Sequence, residues 1–121
     1  MALNKKEKTN ADQLFKVLAD DLHLKSFLKI LEGKPKYPVI RDVNGVVLSL
    51  PPIINSEHSK ISLNTKNIFI DVTATDYTKA MMGLINLVCA FSLYSEHQFT
   101  FEQVEVVYPD GRKDITPHCN I

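Results

Sequence analysis

Two polar stretches hold most of the residues with which this chain could do chemistry. In "IFIDVTATD", Asp71, Thr73 and Thr75 alternate with Ile70, Val72 and Ala74. If the stretch is a strand, side chains two apart share a face, so one carboxylate and two hydroxyls form a polar stripe. Such a stripe can hydrogen-bond a polar ligand or orient a water, and a solvated sheet face has the same pattern. The second stretch, "LSLPPIINSEHSK" from Leu48 to Lys60, sets Asn55, Ser56, Glu57, His58 and Ser59 behind Pro51 and Pro52. Proline fixes φ and removes a backbone donor, so this segment reads as a rigid polar loop that does not extend a sheet ladder. A ligand wall and an ordinary turn both fit that pattern.

Other chemistries find less support. His58 is a candidate general base, because imidazole is the side chain that changes charge near neutral pH. Yet no Ser-His-Asp or Cys-His order accompanies it, and His23, His97 and His118 stand singly in polar settings. Cys89 and Cys119 with the four histidines show no zinc-like spacing. Gly33, Gly45, Gly83 and Gly111 lie too far apart for a phosphate-cradling loop. The residues thus outline a polar pocket between the Pro51-Pro52 loop and the Asp71 strand, and name no reaction.

The elements that must position these groups can be read from periodicity and punctuation. Met1 to Thr9 is polar and lysine-rich and reads as a flexible segment, residues 1–9, ahead of one domain over residues 10–121. Asn10 can cap a helix carrying Leu14, Phe15, Val17 and Leu18, and a second helical pattern from Leu22 to Leu31 stops at Gly33 with Pro35 beyond, which makes two short helices or one kinked near Asp20-Asp21. "YPVIRDV" and "VVLSL" flank Asn44-Gly45, the signature of a type I′ hairpin with positive φ at both positions. "KISLNT" and "NIFIDVTA" read as further strands. Asp76 or Thr75 caps a long helix from Thr78 to Tyr94, apolar on more than one face and expected to pack on the sheet. "FTFEQVEVVYP", the turn Pro109-Asp110-Gly111 and "RKDIT" complete an α+β chain with a mixed or antiparallel sheet and one long central helix.

Composition narrows the setting. The 121 residues are 45% hydrophobic and 23% charged, as in ordinary folded domains. Lys plus Arg equals Asp plus Glu at 14 each, so there is no broad electrostatic footprint for nucleic acid, and any RNA contact must be local. The apolar run Ala80 to Tyr94 is too short to span a bilayer and reads as a buried helix, with no membrane role. Cys89 within it reads as a reduced core thiol, which points to the cytoplasm.

One contiguous run then carries a specific resemblance. "YPVIRDVNGVVLSLPPIINSEHSKISLNTKNIFIDVTATDYTKA" resembles the B3/B4 domain of the β subunit of cytosolic, archaeal and eukaryotic-type phenylalanyl-tRNA synthetase, in the pattern YPVI, D-x-NGVVLS-x-PPIIN, H-S-x-I, NT-x-N-x-FI and T-x-TD. The likeness extends over roughly Asp12 to Pro117. It implies a fragment of a larger subunit that hosts post-transfer editing, the hydrolysis of tyrosine wrongly esterified to the phenylalanine tRNA. It further implies tRNA(Phe) and an α subunit as partners, in a heterotetramer of two α and two β chains. ATP and Mg would serve the parent enzyme at a site on the α subunit, with no cofactor in this fragment. By the same resemblance Asp71 and Thr73 are the expected catalytic residues, with Leu50, Asn55, Ser59 and Thr75 contacting substrate. Asp71 would accept the tyrosyl hydroxyl's hydrogen bond or orient the attacking water.

Overall fold

The computed structural model describes residues 1–96 and 99–118, with three helices and five short strands in antiparallel sheets, an α+β fold. The chain divides into two compact units, Met1–Phe69 and Ile70–Ile121.

The first unit begins with α1 (Ala11–Leu18) and α2 (Lys25–Leu31). Asn10 caps α1 as its residue type demands: its side-chain oxygen accepts from the Gln13 amide at 2.8 Å, and Gln13 reaches back to the Asn10 amide at 3.2 Å. Two orphan donors at the helix start are thereby satisfied. The break between the helices is held by Asp21, whose Oδ1 accepts from the amides of His23 and Leu24 at 2.9 and 3.0 Å. Those two bonds keep its carboxyl below the usual carboxylate range. Gly33 ends the helical segment at φ +70°, a conformation that costs a residue without Cβ little.

A three-stranded sheet follows, β1 (Ile40–Arg41), β2 (Val47–Leu50) and β3 (Ile54–Asn55), in the order β1-β2-β3. The hairpin expected at Asn44-Gly45 forms, but not as a type I′ turn. Only Gly45 takes positive φ, at +78°. Its amide bonds the Asp42 carbonyl at 3.0 Å, and the Asp42 amide bonds the Val46 carbonyl at 2.9 Å, which is a three-residue loop. Asp42 decides this outcome: its Oδ1 accepts from the amides of Asn44 and Val46 at 2.9 and 2.8 Å, so the carboxylate replaces the backbone pairing that a two-residue loop requires.

Leu14, Leu18, Leu28, Leu31, Leu50 and Ile53 form the core of this unit, with Phe15 and Tyr37 packed edge to face at 5.1 Å beside it. The opening residues are tied to the sheet: the Leu3 amide donates to the Asn55 carbonyl and the Glu57 amide to the Met1 carbonyl, each at 2.9 Å.

The second unit contains α3 (Tyr77–Leu93) and a hairpin of β4 (Val104–Val107) and β5 (Lys113–Thr116). Asp76 caps α3 by accepting from the Lys79 amide at 2.9 Å. The β4-β5 turn repeats the first hairpin's solution: Gly111 takes φ +83°, its amide bonds the Tyr108 carbonyl, and the Tyr108 amide bonds the Arg112 carbonyl.

Three expectations are corrected. "KISLNT" and "NIFIDVTA" form no strands, because a strand requires a hydrogen-bonding neighbour and neither sheet extends to them among the described residues. Of α3, Val88 is buried while Met82, Leu87, Phe91 and Leu93 are exposed. Cys89 is a free thiol as expected, yet it is exposed and not in the core, since the helix surface beside Val88 is uncovered. Cys119 and His97 lie outside the described residues. No helix is long and apolar enough to cross a membrane among the described residues.

Candidate functional site

The loop from Leu48 to Lys60 closes on a single backbone carbonyl. Leu48 O accepts the Ser56 amide and the Ser59 hydroxyl, both at 2.8 Å. Pro51 and Pro52, joined by a cis peptide, lie in a turn that the Ile53 amide closes onto the Leu50 carbonyl at 2.8 Å. Contrary to the loop reading, pairing resumes directly after the prolines, and Asn55 sits in β3 opposite Ser49. Its side chain is exposed while its backbone is committed.

The other loop residues divide by what they have left to offer. Leu50 is buried in the core with Ile53, so its side chain anchors the loop. Ser59 spends its proton on Leu48, which leaves its oxygen as an acceptor. Ser56 is 4% exposed, the buried polar residue of this loop, and sits 3.4 Å from Ser59 Oγ. Its pairing with Ser59 follows from an i,i+3 turn that proline punctuation alone does not specify. His58 faces Asp42 at 3.9 Å, a loose contact with no nucleophile attached. Glu57 accepts the Asn4 amide at 2.7 Å and lies 3.5 Å from Lys60; the amide is the main reason its carboxyl is held below the usual range.

In the second unit, Asp71, Thr73 and Thr75 lie on an irregular exposed segment leading to the Asp76 cap. Their side chains make no hydrogen bond among the described residues, so all three are open to solvent or a ligand. Leu50, Asn55 and Ser59 thus belong to one unit, and Asp71, Thr73 and Thr75 to the other.

The second unit also assembles a cluster that local patterns miss. The Tyr77 hydroxyl donates to Asp114 Oδ2 at 2.6 Å. His118 Nε2 lies 2.9 Å from Asp114 Oδ1 and 3.0 Å from the Tyr77 oxygen. Tyrosine has one hydroxyl proton and gives it to Asp114, so Nε2 must carry the hydrogen it shares between the two oxygens. A shallow depression of about 470 Å³ opens here, lined by Tyr77, Tyr108, Arg112, Lys113, Asp114 and His118. Tyr77 stands 37 and 41 residues from its partners, so only the fold reveals that His118 is not solitary.

The hydrogen bond to Asp114, helped by desolvation and the carboxylate's charge, pushes the Tyr77 phenol up to about 12. The same bond, with His118 nearby, holds Asp114 below its ordinary value. Because the folded-state Tyr77 value lies above the unfolded one, its stabilising contribution is complete below about pH 10 and disappears as pH rises through about 12. For Asp114 the sign reverses: stability is present above the ordinary carboxylate value and is lost as pH falls through the lowered one. Absorbance titration at 295 nm is expected to resolve a tyrosine ionising near pH 12 that Tyr77→Phe removes and Asp114→Asn returns toward about 10. Tyr37 also rises, from desolvation and Asp12, so the Tyr77→Phe difference spectrum is the measurement that checks this.

Among the described residues, no group of three or more His, Cys, Asp and Glu side chains is placed to hold a metal ion. Residues 3–110 match the family model described as the B3/4 domain. The chain is similar to the phenylalanine–tRNA ligase β subunits of Homo sapiens, at 53% identity over 115 residues, and Mus musculus, at 54% over 115. In both, the match spans 95% of this chain and 20% of the relative. A relative from Arabidopsis thaliana, named as cytoplasmic, is 50% identical over 107 residues, 88% of this chain and 18% of its own length. The chain therefore spans about a fifth of the length of the curated relatives it matches.

Proposed function

The chain belongs to the B3/4 domain family, and from that footing we propose that it is the editing module of a phenylalanine–tRNA ligase β subunit, acting on tyrosine esterified to tRNA(Phe). The observation that carries this reading is the 53% identity to such subunits across 95% of the chain. In this reading the parent enzyme attaches phenylalanine to its tRNA with ATP and Mg, in the cytoplasm, together with an α subunit.

The physical need for editing comes from one atom. Tyrosine and phenylalanine differ by a hydroxyl, which an apolar synthetic site rejects imperfectly, whereas a polar site can select the error by hydrogen-bonding it. Asp71, exposed and without a side-chain partner among the described residues, supplies the acceptor or orients the water. Thr73 and Thr75 follow it with hydroxyls, and in the first unit, taken by itself, Asn55 and the Ser59 oxygen are the polar groups offered to substrate. Leu50 holds their loop from the core. Phenylalanine would leave the acceptor unpaired, a cost of about 1 to 3 kcal/mol, or roughly tenfold to hundredfold in selectivity.

Hydrolysis asks for little more. Water oxygen adds to the ester carbonyl, the bond to the ribose oxygen breaks, and that oxygen leaves with a proton. An aminoacyl ester is activated, so a positioned water suffices and no covalent nucleophile is needed. The test is release of tyrosine from tyrosyl-tRNA(Phe) by the complete synthetase, with phenylalanyl-tRNA(Phe) as the comparison. Tyrosine is expected to leave at least about tenfold faster; equal rates would overturn the reading.

A second reading, a non-catalytic scaffold or RNA-docking module, is favoured by one observation. Asp71, Thr73 and Thr75 are exposed within their unit, the pattern of a solvated polar face. Equal release rates with intact tRNA binding would support it.

A further inference from the structure

The geometry points to a single-stranded RNA contact on the β4-β5 hairpin, in which Tyr108 and Arg112 form a stacking platform for one base and Arg112 meets its phosphate. The inference rests on the reading that this chain meets tRNA, and it assigns the contact to residues outside the proposed editing set.

Arg112 sits over Tyr108 with its guanidinium carbon 3.8 Å from the ring centroid. The three-residue turn fixes both ends of this pair, since the Tyr108 amide bonds the Arg112 carbonyl at 2.9 Å. The Arg112 amide is held in turn by Asp110 Oδ1 at 3.0 Å. The platform is therefore built before any ligand arrives, which limits the ordering cost of binding. Planar cation on aromatic ring is a surface on which any base can stack.

Charge in the depression is sorted by its internal bonds. Lys113 is committed to Glu105 at 3.0 Å. Asp114 uses both oxygens on Tyr77 and His118, so its carboxylate is engaged within the cluster. Arg112 forms no ion pair among the described residues. One guanidinium without an ion pair among the described residues suits one phosphate. It does not suit a long duplex, which a chain of zero net charge could not track. An acidic peptide would engage Arg112 but make no use of the ring beneath it.

The test uses the full chain and fluorescein-labelled hexa-adenylate in anisotropy titrations at about 50 mM salt. Tyr108→Ala is expected to weaken binding at least about fivefold, and Tyr108→Phe to retain it. An abasic hexamer should bind the unaltered chain more weakly by a similar factor. Arg112→Gln should reduce the salt slope by about 0.7, one phosphate's share on a single strand. Equal affinity of Tyr108→Ala, equal binding of the abasic strand, or no binding by the unaltered chain would overturn the proposal. Displacement of hexa-adenylate by polyglutamate as effectively as by unlabelled hexa-adenylate would also overturn it, in favour of a peptide surface. Because the readout is binding, these outcomes stand whether or not the chain hydrolyses an ester.

Discussion

Asp71→Ala is expected to slow clearance of tyrosyl-tRNA(Phe) by about tenfold to a hundredfold, measured as tyrosine release by the complete synthetase. The argument starts from what the side chain has spare. Asp71 is exposed and makes no hydrogen bond among the described residues, so its removal breaks no internal network. A loss of rate then reports on substrate or water. Asp71→Asn separates the two roles, because an amide oxygen still accepts a phenol's hydrogen bond but carries no charge to order a water's proton. If the residue reads the tyrosyl hydroxyl, Asn restores much of the selectivity. If it orients water, Asn is nearly as slow as Ala. A rate unchanged in both variants removes Asp71 from the site.

Leu18→Ala is expected to destabilise the first unit by about 2 to 5 kcal/mol, read from the midpoint of urea unfolding. Leu18 is 1% exposed, the most buried large side chain described, and packs with Leu14, Leu28, Leu31, Leu50 and Ile53. Truncation removes transfer free energy and leaves a cavity that the surrounding side chains fill only in part. Small domains have only about 5 to 15 kcal/mol in total, so a loss of this size should bring the unit close to unfolding at physiological temperature. Leu50 and Ile53 flank the Pro51-Pro52 turn, so the polar loop loosens with its core. Leu63→Ala is the comparison: that side chain is fully exposed, and its truncation should change stability by less than about 0.5 kcal/mol.

The parts of this fold legible in the sequence are those decided within a few residues. Asn10 and Asp76 sit where a short polar side chain can accept a helix-start amide, and both do. Gly33 and Gly111 stand where the chain needs positive φ, and both take it. The type of the first hairpin turn was less legible because the Asn44-Gly45 dipeptide competes with Asp42, whose carboxylate is the better acceptor for the turn's amides.

Alternation in "NIFIDVTA" states that a strand could form, but pairing depends on a neighbour that the alternation does not name. Helical periodicity around Cys89 likewise states which residues are apolar, not which are covered. The Tyr77, Asp114 and His118 cluster is a product of tertiary distance, beyond the reach of any local spacing. Of the candidate site, the sequence supplied the residue types, and the fold adds where two of them are held: Leu50 packs in the core and the Ser59 hydroxyl bonds the Leu48 carbonyl.

The central proposal is that the exposed polar groups of Asp71 and Thr73 serve a tyrosine-selecting function. Amide NMR of the chain during titration with tyrosine, then with phenylalanine, tests it most directly. The account predicts saturable shifts at Asp71 and Thr73 with tyrosine, both fitting one dissociation constant, and at least about tenfold weaker binding of phenylalanine. Absence of shifts at saturating tyrosine, or shifts of equal size and affinity with phenylalanine, would contradict it.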